Sequence, residues 1–395
     1  MTRILEGVRV LDLTYAFNGP LAGRILGELG AEVIKIEPPW GSARDFLPIV
    51  SGESFNFIMI NCNKKFITLN LKTEAGKELF KKLVKVSDVV LENFSAGTME
   101  RLGLGYDELK KLKPDIIYVS SSGFGHRGKY VNLPAYDYIA EAMSGLYSLT
   151  GEKDLPMKYG VAIVDALSAV FAALATVAAL YNKMRTGKGE RADMAMYDNA
   201  TYAMMENVAG VLIEGKDSKF NQRLGNRHPV IAPYALYRAS DNFVFIATGK
   251  DEQFARLCKV MNREDLIKDP RFSSMEARVR NMEELDQIIQ SWVEKYPAKT
   301  VVKLLLEADV AAAEVRSLFD ALNDSNVEER KLLVELVHPI LGNVKVLNSV
   351  LKFENADTSV YRPGMPLGYD NEYVYSNILG LSKEEIERLR QENVI

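Results

Sequence analysis

The chain has 395 residues, of which 47% are apolar and 26% charged, and its formal net charge is −4. This composition is typical of globular proteins, and the length allows two lobes with separate cores. No basic stripe interleaved with aromatic residues appears, so we expect no nucleic-acid partner. The two cysteines and three histidines lack metal-ligand spacing, which predicts no metal site and indicates a reducing cytoplasm.

The amino-terminal third alternates short apolar runs with helical patterns. Strands are predicted over Val8–Thr14, Ala31–Glu37, Phe66–Leu71, Asp88–Glu92 and Asp115–Ser121, and helices over Pro20–Gly30, Glu74–Val86, Gly97–Leu102 and Tyr106–Lys111. This alternation predicts an α/β fold with a doubly wound, mostly parallel, Rossmann-like sheet. The loop after the first strand lacks GxGxxG, so Glu37 only weakly resembles a ribose-binding acid.

A further helix is predicted over Tyr136–Leu149, and then comes the longest apolar stretch, Val161–Tyr181. It is rich in Ala and ends with Lys183, Arg185 and Gly187, which predicts one helix over about 163–185. Between Val161 and Tyr181 the one acidic or basic residue is Asp165, in the first turn of this helix. Three hypotheses explain it: a helix cap, a membrane span with an incidental acid, or a reactive carboxylate in a pocket. The membrane hypothesis is the weakest, because no second apolar segment and no signal peptide are present.

The remaining chain indicates a second, smaller α+β lobe. A strand-like run at Arg191–Tyr197 and a helix to about Leu212 precede a polar junction near Glu214–Pro233. Later elements are predicted as strands over Tyr234–Arg238 and Asn242–Thr248, helices between Asp251 and Ala308, strands over Leu332–His338 and Asn343–Asn348, and a helix over Ser382–Gln391. The last helix opens with Ser-x-x-Glu, a capping box.

Several blocks in order resemble one family. They include GVRVLDLTYAFNGPLAGRILGELGAEVIKIE, NCNKKFITLNLKTEAGKELF, DVVLENFSAGTMERLGLGY, GFGHRGKYVNLPAYDYIAEAMSG and GNRHPVIAPY. They are similar to blocks of the class III CoA-transferase family, which includes formyl-CoA and carnitine CoA-transferases and α-methylacyl-CoA racemases. The resemblance covers nearly the whole chain. It implies a large domain of residues 1–205 plus 330–395, a small domain of residues 225–325, and an interlocked homodimer.

The resemblance also implies the site. Asp165 stands at the position of the family's catalytic aspartate. The implied CoA contacts and active-site neighbours are Phe17, Asn18, Leu69, Asn70, Leu71, Lys72, Asn93, Phe94, Ser95, Arg101, Tyr136 and Asp137. Pro38 stands where formyl-CoA transferase has an arginine near the adenine, so that contact is expected to differ.

The function implied is transfer of CoA from an acyl-CoA to a small carboxylic acid through a covalent intermediate on Asp165. Acyl-CoA is then a substrate, and no tightly bound cofactor is expected. We expect the helix amino terminus to keep Asp165 ionised. Racemases of the family carry a histidine at the position of Tyr136, and its absence favours a transferase, since epimerisation needs a second base near neutral pKa. Two alternatives remain open: a racemase with another base, for which His126 is the nearest histidine in sequence, and a non-catalytic CoA-binding protein.

Overall fold

The computed structural model of the protein describes residues 2–395. Its strands are β1 Arg9–Asp12, β2 Glu32–Glu37, β3 Ile49–Val50, β4 Glu53–Ser54, β5 Lys64–Thr68, β6 Val89–Glu92, β7 Ile117–Ser122, β8 Gly151–Glu152, β9 Leu155–Pro156, β10 Arg191–Ala195, β11 Tyr234–Arg238, β12 Phe243–Ala247, β13 Ala311–Glu314, β14 Leu333–His338 and β15 Gly342–Leu347. Its α-helices are α1 Asn18–Glu28, α2 Phe55–Ile60, α3 Glu74–Lys85, α4 Thr98–Arg101, α5 Tyr106–Leu112, α6 Asp137–Ser144, α7 Leu146–Leu149, α8 Ile163–Thr186, α9 Met196–Ala203, α10 Met205–Glu214, α11 Asp251–Val260, α12 Asp265–Lys268, α13 Met275–Arg280, α14 Met282–Val293, α15 Ala298–Glu307, α16 Leu318–Leu322, α17 Ser325–Glu329 and α18 Lys383–Gln391.

The chain divides into two compact units. The large unit comprises the chain up to Ser144, Gly160–Ala203 and Ser325–Ile395, and the small unit comprises Gly145–Tyr159 and Met204–Asp324. The polypeptide therefore passes from one unit to the other four times. The segment 145–159, which carries the short hairpin β8–β9, belongs to the small unit.

The large unit contains the parallel sheet that the strand–helix alternation predicts. Its strand order is β10-β7-β6-β1-β2-β5, and each neighbouring pair is parallel. The chain moves outward from β1 through β2 to β5, returns to β6 on the other side of β1, and continues to β10. This order places a topological switch point between β1 and β6, where open α/β sheets bind ligands. The prediction of an α/β, Rossmann-like fold is confirmed.

Both faces of this sheet are covered, which explains why adjacent strand residues such as those of β1 and β6 are apolar on both faces. Val10 and Val89 point to the face on which α1 and α8 pack, and Leu11 and Val90 point to the opposite face. The opposite face is covered by apolar residues of α3, α5 and the carboxyl-terminal helix α18. Because adjacent residues alternate between the two cores, a purely apolar strand leaves no side chain in water.

Helix α8 matches the central helix of the sequence analysis to within one residue. It ends at Gly187, whose φ of +71° is the left-handed conformation that favours glycine, with its N–H bonded to the Lys183 carbonyl. In residues 2–395 it is the one helix long and apolar enough to cross a membrane, with a mean hydropathy of 2.2 over 18 residues. Its small side chains Ala169, Ala172 and Ala173 are buried against the sheet and α1. One side of the helix is therefore a core element.

Several predicted elements differ from the structure. The helix expected over Tyr136–Leu149 is interrupted because Gly145 has a φ of +98°, so α6 ends at Ser144. The helix expected to run to Leu212 is divided at Met204 into α9 and α10. The strand expected over Phe66–Leu71 ends at Thr68, since the Asn70 N–H bonds to the Val394 carbonyl instead of a neighbouring strand.

The small unit is built on the antiparallel sheet β11-β12-β13. Helices α11, α14 and α15 contribute Phe254, Leu257, Ile289 and Val301 to a core that also includes Val244 of β12. This arrangement of helices beside an antiparallel sheet is the α+β architecture that the sequence predicts.

A buried cluster of three charges joins the strands of the large unit at the switch point. Asp12, at the end of β1, lies 2.7 Å from the Lys64 ammonium of β5 and 3.4 Å from the Lys35 ammonium of β2. Lys64 also donates to the carbonyl of Pro20, and Lys35 to the carbonyl of Thr14. Burial raises the pKa of Asp12, but the two ammonium groups outweigh it and hold the pKa below its usual range. The cluster thus connects three strands to the loop that precedes α1.

Replacing Asp12 with Asn should strongly destabilise the protein, because it leaves two buried ammonium groups without an anion. Loss of one partner of a buried ion pair costs about 3–5 kcal/mol. The measurement is the urea midpoint followed by circular dichroism. Glu74→Gln, which breaks the exposed Lys77–Glu74 pair, is the control and should leave the midpoint almost unchanged. Equal shifts in the two variants would contradict a structural role for the cluster.

Candidate active site

Four loops at the carboxyl ends of β1, β2, β5 and β6 surround a cavity of about 550 Å³. This volume is within the usual range for small-molecule sites. Its apolar wall is formed by Leu13, Ile36, Leu69, Leu71, Phe94 and Leu102. Its polar side chains include Asn70, Lys72, Ser95, Thr98 and Arg101. An apolar cavity with a few polar groups at a switch point is the expected form of a ligand site in this fold.

The structure brings together many of the residues implied by the resemblance. Those that line the cavity are Leu69, Asn70, Leu71, Lys72, Phe94, Ser95 and Arg101. Phe17, Asn18 and Asn93 are not among its lining residues. In Asn93 the side chain is directed to the preceding loop: its amide accepts from the Tyr15 N–H at 2.9 Å and donates to the Tyr15 carbonyl and to Asn18 Oδ1, each at 2.8 Å.

The loop between β1 and α1 is held in a strained conformation by these contacts. Ala16 has a φ of +62°, in the left-handed region that a side chain disfavours. The Asn93 side chain bonds to the N–H and the carbonyl of Tyr15, the residue before Ala16. One residue earlier, Asp12 accepts from the Thr14 N–H and Lys35 donates to the Thr14 carbonyl. Asn93 is therefore a support for the cavity wall formed by Thr14 and Tyr15.

The charges at the cavity are predominantly positive. The carboxylate of Glu37 lines the cavity but is bound by the Arg44 guanidinium, at 2.9 Å and 2.7 Å. Its negative charge is thus already paired with Arg44. Within residues 2–395 neither Lys72 nor Arg101 has a carboxylate within 4.0 Å. These two cations are available for an anionic ligand.

Asp165 is the third residue of α8 and does not cap it. The residue before the helix is Ala162, whose methyl side chain makes no capping hydrogen bond. The Asp165 N–H donates to Oδ2 of Asp137 at 2.7 Å, so the Asp137 carboxylate satisfies a free donor of this helix end. The cap hypothesis therefore applies to Asp137 and leaves the Asp165 carboxylate for another role.

Burial, and then the neighbouring Asp137 carboxylate, raise the pKa of Asp165 to about 7. This corrects the expectation that the helix amino terminus keeps Asp165 fully ionised. The dipole of a helix lowers the pKa of a nearby acid only modestly, and here desolvation and a like charge both act in the opposite direction. A carboxyl group with a pKa near neutral at a helix start is typical of a reactive residue.

Tyr136 connects this carboxylate pair with the cavity. It precedes Asp137 in the chain, its side chain is 74% exposed, and its phenol is near that of Tyr15. Burial and this nearby phenol raise the pKa of Tyr15, which lines the cavity. Tyr136 and Asp137 do not line the cavity themselves; they lie between its Tyr15 wall and the start of α8.

His126 is held in a different set of contacts. Its Nδ1 is 3.3 Å from the Arg191 guanidinium, its Nε2 is 3.7 Å from Glu92, and its N–H donates to Asp193. Burial, partly opposed by Asp193, holds its pKa below the usual range. Burial raises the pKa of Glu92 to about 7. His126 thus belongs to a buried polar group beside β6 and β7.

Several cavity residues were not identified from the sequence. Trp40, Thr98 and the segment Leu13–Tyr15 line the cavity. Trp40 follows two prolines directly after the strand predicted to end at Glu37. Its position just beyond the carboxyl end of a strand, where doubly wound sheets bind ligands, could have identified it. The Asp137–Asp165 contact joins residues 28 positions apart, and no spacing rule predicts it.

Comparisons with known proteins identify the family of this chain. The profile of CoA-transferase family III matches residues 5–371. Succinyl-CoA:glutarate CoA-transferase of Mus musculus is 35% identical over 99% of this chain and 90% of its own length. Succinyl-CoA–D-citramalate CoA-transferase of Chloroflexus aurantiacus is 34% identical, over 100% and 98%. The crystal structure of a CAIB/BAIF family protein from Brucella suis aligns with a TM-score of 0.85 and 33% identity, over 96% of this chain and 100% of that one. The chain belongs to CoA-transferase family III.

Proposed function

We propose that this enzyme moves CoA from an acyl-CoA donor to a free carboxylic acid, with Asp165 as the nucleophile. The observation that carries the proposal is the Asp165 carboxyl group, which lies in the first turn of an apolar helix with a pKa raised to about 7. Helix capping does not account for it, since Asp137 provides that contact. Family membership supports the reaction class.

CoA binds in the cavity at the switch point. Lys72 and Arg101 bind its phosphates, and the apolar wall together with Phe94 and Ser95 contacts the remaining cofactor. Phe17 and Asn18, at the start of α1, extend the site toward the reacting end. Tyr136 and Asp137 face the acyl group, because they lie between Tyr15 and Asp165.

The reaction proceeds by four acyl transfers. An Asp165 oxygen attacks the thioester carbonyl, the C–S bond breaks, and CoA leaves as a thiolate from a mixed anhydride. The thiolate attacks the Asp165 carbonyl carbon, which releases the first acid and forms an aspartyl-CoA thioester. The acceptor carboxylate attacks that thioester and expels CoA, giving a second anhydride. CoA then attacks the acceptor carbonyl and restores the Asp165 carboxylate. No redox step occurs.

Asp137 has two effects on this cycle. It binds the N–H of Asp165 and so fixes the backbone of the nucleophile. Its charge also raises the pKa of Asp165, and a more basic carboxylate is a better nucleophile once it is ionised.

The substrates belong to the class of short dicarboxylic acids. This part of the proposal rests on the named relatives, which act on succinyl-CoA with glutarate or D-citramalate. A panel of succinyl-CoA with glutarate, citramalate, oxalate and acetate tests it. Turnover with acetate alone would place the substrate outside this class.

The enzyme acts as a homodimer in the cytoplasm. The side of α8 that faces away from the core carries an exposed apolar stripe at helical spacing, formed by Val170, Leu174 and Tyr181. An apolar stripe that the chain leaves uncovered fits the same stripe on a second copy. The resemblance to a family of interlocked dimers supports a second copy of this chain as the partner of the stripe.

Replacing Asp165 with Ala or Asn should lower turnover by more than about 10³-fold, since covalent catalysis requires its nucleophile. Asp165→Asn should remain folded. It should also gain thermal stability relative to wild type as pH rises from about 4 to 7, since in that range the unfolded wild-type chain is ionised at Asp165 while the folded protein still holds the proton. Turnover is measured by chromatography of the CoA esters, and stability by circular dichroism.

A trapping experiment separates the transferase from the alternatives. Wild type incubated with acyl-CoA and hydroxylamine should carry a modification at Asp165, detected by mass spectrometry. With a 2-methylacyl-CoA in deuterium oxide it should incorporate no deuterium at the α-carbon. Rapid deuteration without the adduct would indicate a racemase. A variant without Asp165 that keeps a tenth of wild-type turnover would exclude Asp165 as nucleophile.

The pH dependence of kcat/KM should report the raised pKa of Asp165. We expect kcat/KM to rise with pH through a midpoint near 7 and then level off, because only the ionised carboxylate attacks. Asp137→Asn removes the like charge and should move the midpoint to lower pH. Glu78→Gln, an exposed change on α3 at the opposite face of the sheet, is the control. A midpoint that does not move in Asp137→Asn would contradict the coupling of the two acids.

Leu174→Glu should prevent dimer formation, because it places a charge in the apolar stripe. Light scattering should give the mass of two chains for wild type and less for the variant. Val86→Glu, a change at another exposed apolar residue of the large unit, should leave the mass unchanged. A wild-type mass of one chain would overturn the dimer proposal.

A further inference from the structure

Trp40 has contacts that distinguish it from other surface aromatic residues. Its side chain is 64% exposed, and it lines the cavity together with Pro38 and Ser42. Exposure alone does not indicate a ligand contact, since single exposed apolar residues are common. The position of Trp40 in the wall of the cavity, and the hydrogen bonds that hold its turn, do indicate one.

The turn that presents Trp40 is fixed at both ends. The Gly41 N–H bonds to the Pro38 carbonyl at 2.8 Å, and the φ of Gly41 is +79°. Glu37, 1% exposed, precedes the turn, and its carboxylate binds Arg44 at the far end through two hydrogen bonds. The Arg44 guanidinium in turn packs 4.0 Å above the Phe57 ring. The indole is therefore pre-positioned at the cavity without packing into a core.

A cation lies next to the exposed indole. The Lys72 ammonium is 5.4 Å from the centre of the Trp40 ring, within the range of a cation–π contact. Arg101 lines the same cavity, and its guanidinium is bonded to a neutral hydroxyl, that of Thr98. An aromatic face beside two cations is complementary to a ligand that combines a flat ring with phosphates.

On the basis of the proposed function, we propose that Trp40 stacks on the adenine of CoA and makes the enzyme select the nucleotide-bearing thioester. The shorter carrier pantetheine has the same thiol but neither adenine nor the nucleotide phosphates. Acyl-CoA then binds through two of its regions. Its reacting end lies near Asp165, and its nucleotide lies between Trp40, Lys72 and Arg101. Trp40 determines carrier specificity and takes no part in the chemistry.

The test compares CoA with pantetheine by calorimetry in wild type, Trp40→Ala and Trp40→Phe. Alanine substitution at a base-stacking aromatic weakens binding by about 5- to 150-fold. We expect this loss for CoA in Trp40→Ala, a much smaller loss in Trp40→Phe, and unchanged pantetheine binding in both. CoA should also quench the tryptophan fluorescence of wild type but not of Trp40→Phe, since the second tryptophan, Trp292, is buried in the core of the small unit.

Two charge variants separate failure of this inference from failure of the proposed CoA site. Lys72→Glu and Arg101→Glu should weaken CoA binding, and Lys82→Glu, an exposed change on α3, should not. Wild-type CoA affinity in Trp40→Ala, with weakened binding in Lys72→Glu, would overturn the stacking alone. Wild-type affinity in all of these variants would show that CoA binds elsewhere. Equal losses for CoA and pantetheine in Trp40→Ala would also overturn the inference, because the indole would then contact the shared arm or support the fold.

Discussion

The large unit depends on the buried ion pairs that the Asp12 carboxylate forms with Lys35 and Lys64. This carboxylate lies where β1 ends and binds two ammonium groups, from β2 and β5, that would otherwise be buried without an anion. Such a cluster costs desolvation energy, which its hydrogen bonds must offset. Its bonds to Thr14, together with those of Lys35 to Thr14 and Lys64 to Pro20, determine the path of the chain between β1 and α1. Gly23 of α1 allows this approach, since a Cβ atom there would lie 2.5 Å from Asp12. The geometry of the cavity wall therefore follows from the packing of a buried charge.

The central helix combines two requirements that conflict. Its apolar composition stabilises the sheet face, and the same apolar surroundings raise the pKa of Asp165. A neutral residue at this position would suit the fold better, and so the acid is evidence of function. The Asp137 carboxylate adds to the conflict through its charge and relieves part of it by binding the helix end. The backbone of Asp165, the proposed nucleophile, is thus held by the same group that opposes ionisation of its carboxyl group.

The fold was largely predictable because it depends on local periodicity. Apolar strands alternating with amphipathic helices indicated a parallel sheet, and the ends of α8 followed from its composition and from Gly187. The site was predictable only in part. The lining residues Leu69–Lys72 follow a strand end directly, but the Asn93 side chain is directed to Tyr15, and Asp137 meets Asp165 across 28 residues. Contacts of this kind depend on tertiary packing, and the break at Gly145 depends on a backbone conformation that composition alone does not specify.

The unbalanced positive charge at the cavity bears on the proposed catalysis. Glu37 is bound by Arg44, so the cations at the cavity, Lys72 and Arg101, are not balanced by a free carboxylate. In the proposed binding mode, the CoA phosphates and adenine bind there and release free energy far from the reacting carbonyl. Remote binding energy can offset unfavourable steps at the reaction centre, such as ionisation of a buried acid beside a like charge. On this view the nucleotide does more than anchor the substrate. If the proposed site and nucleophile hold, its binding free energy offsets the cost of ionising Asp165, and a thioester without the nucleotide reacts slowly even at saturating concentration.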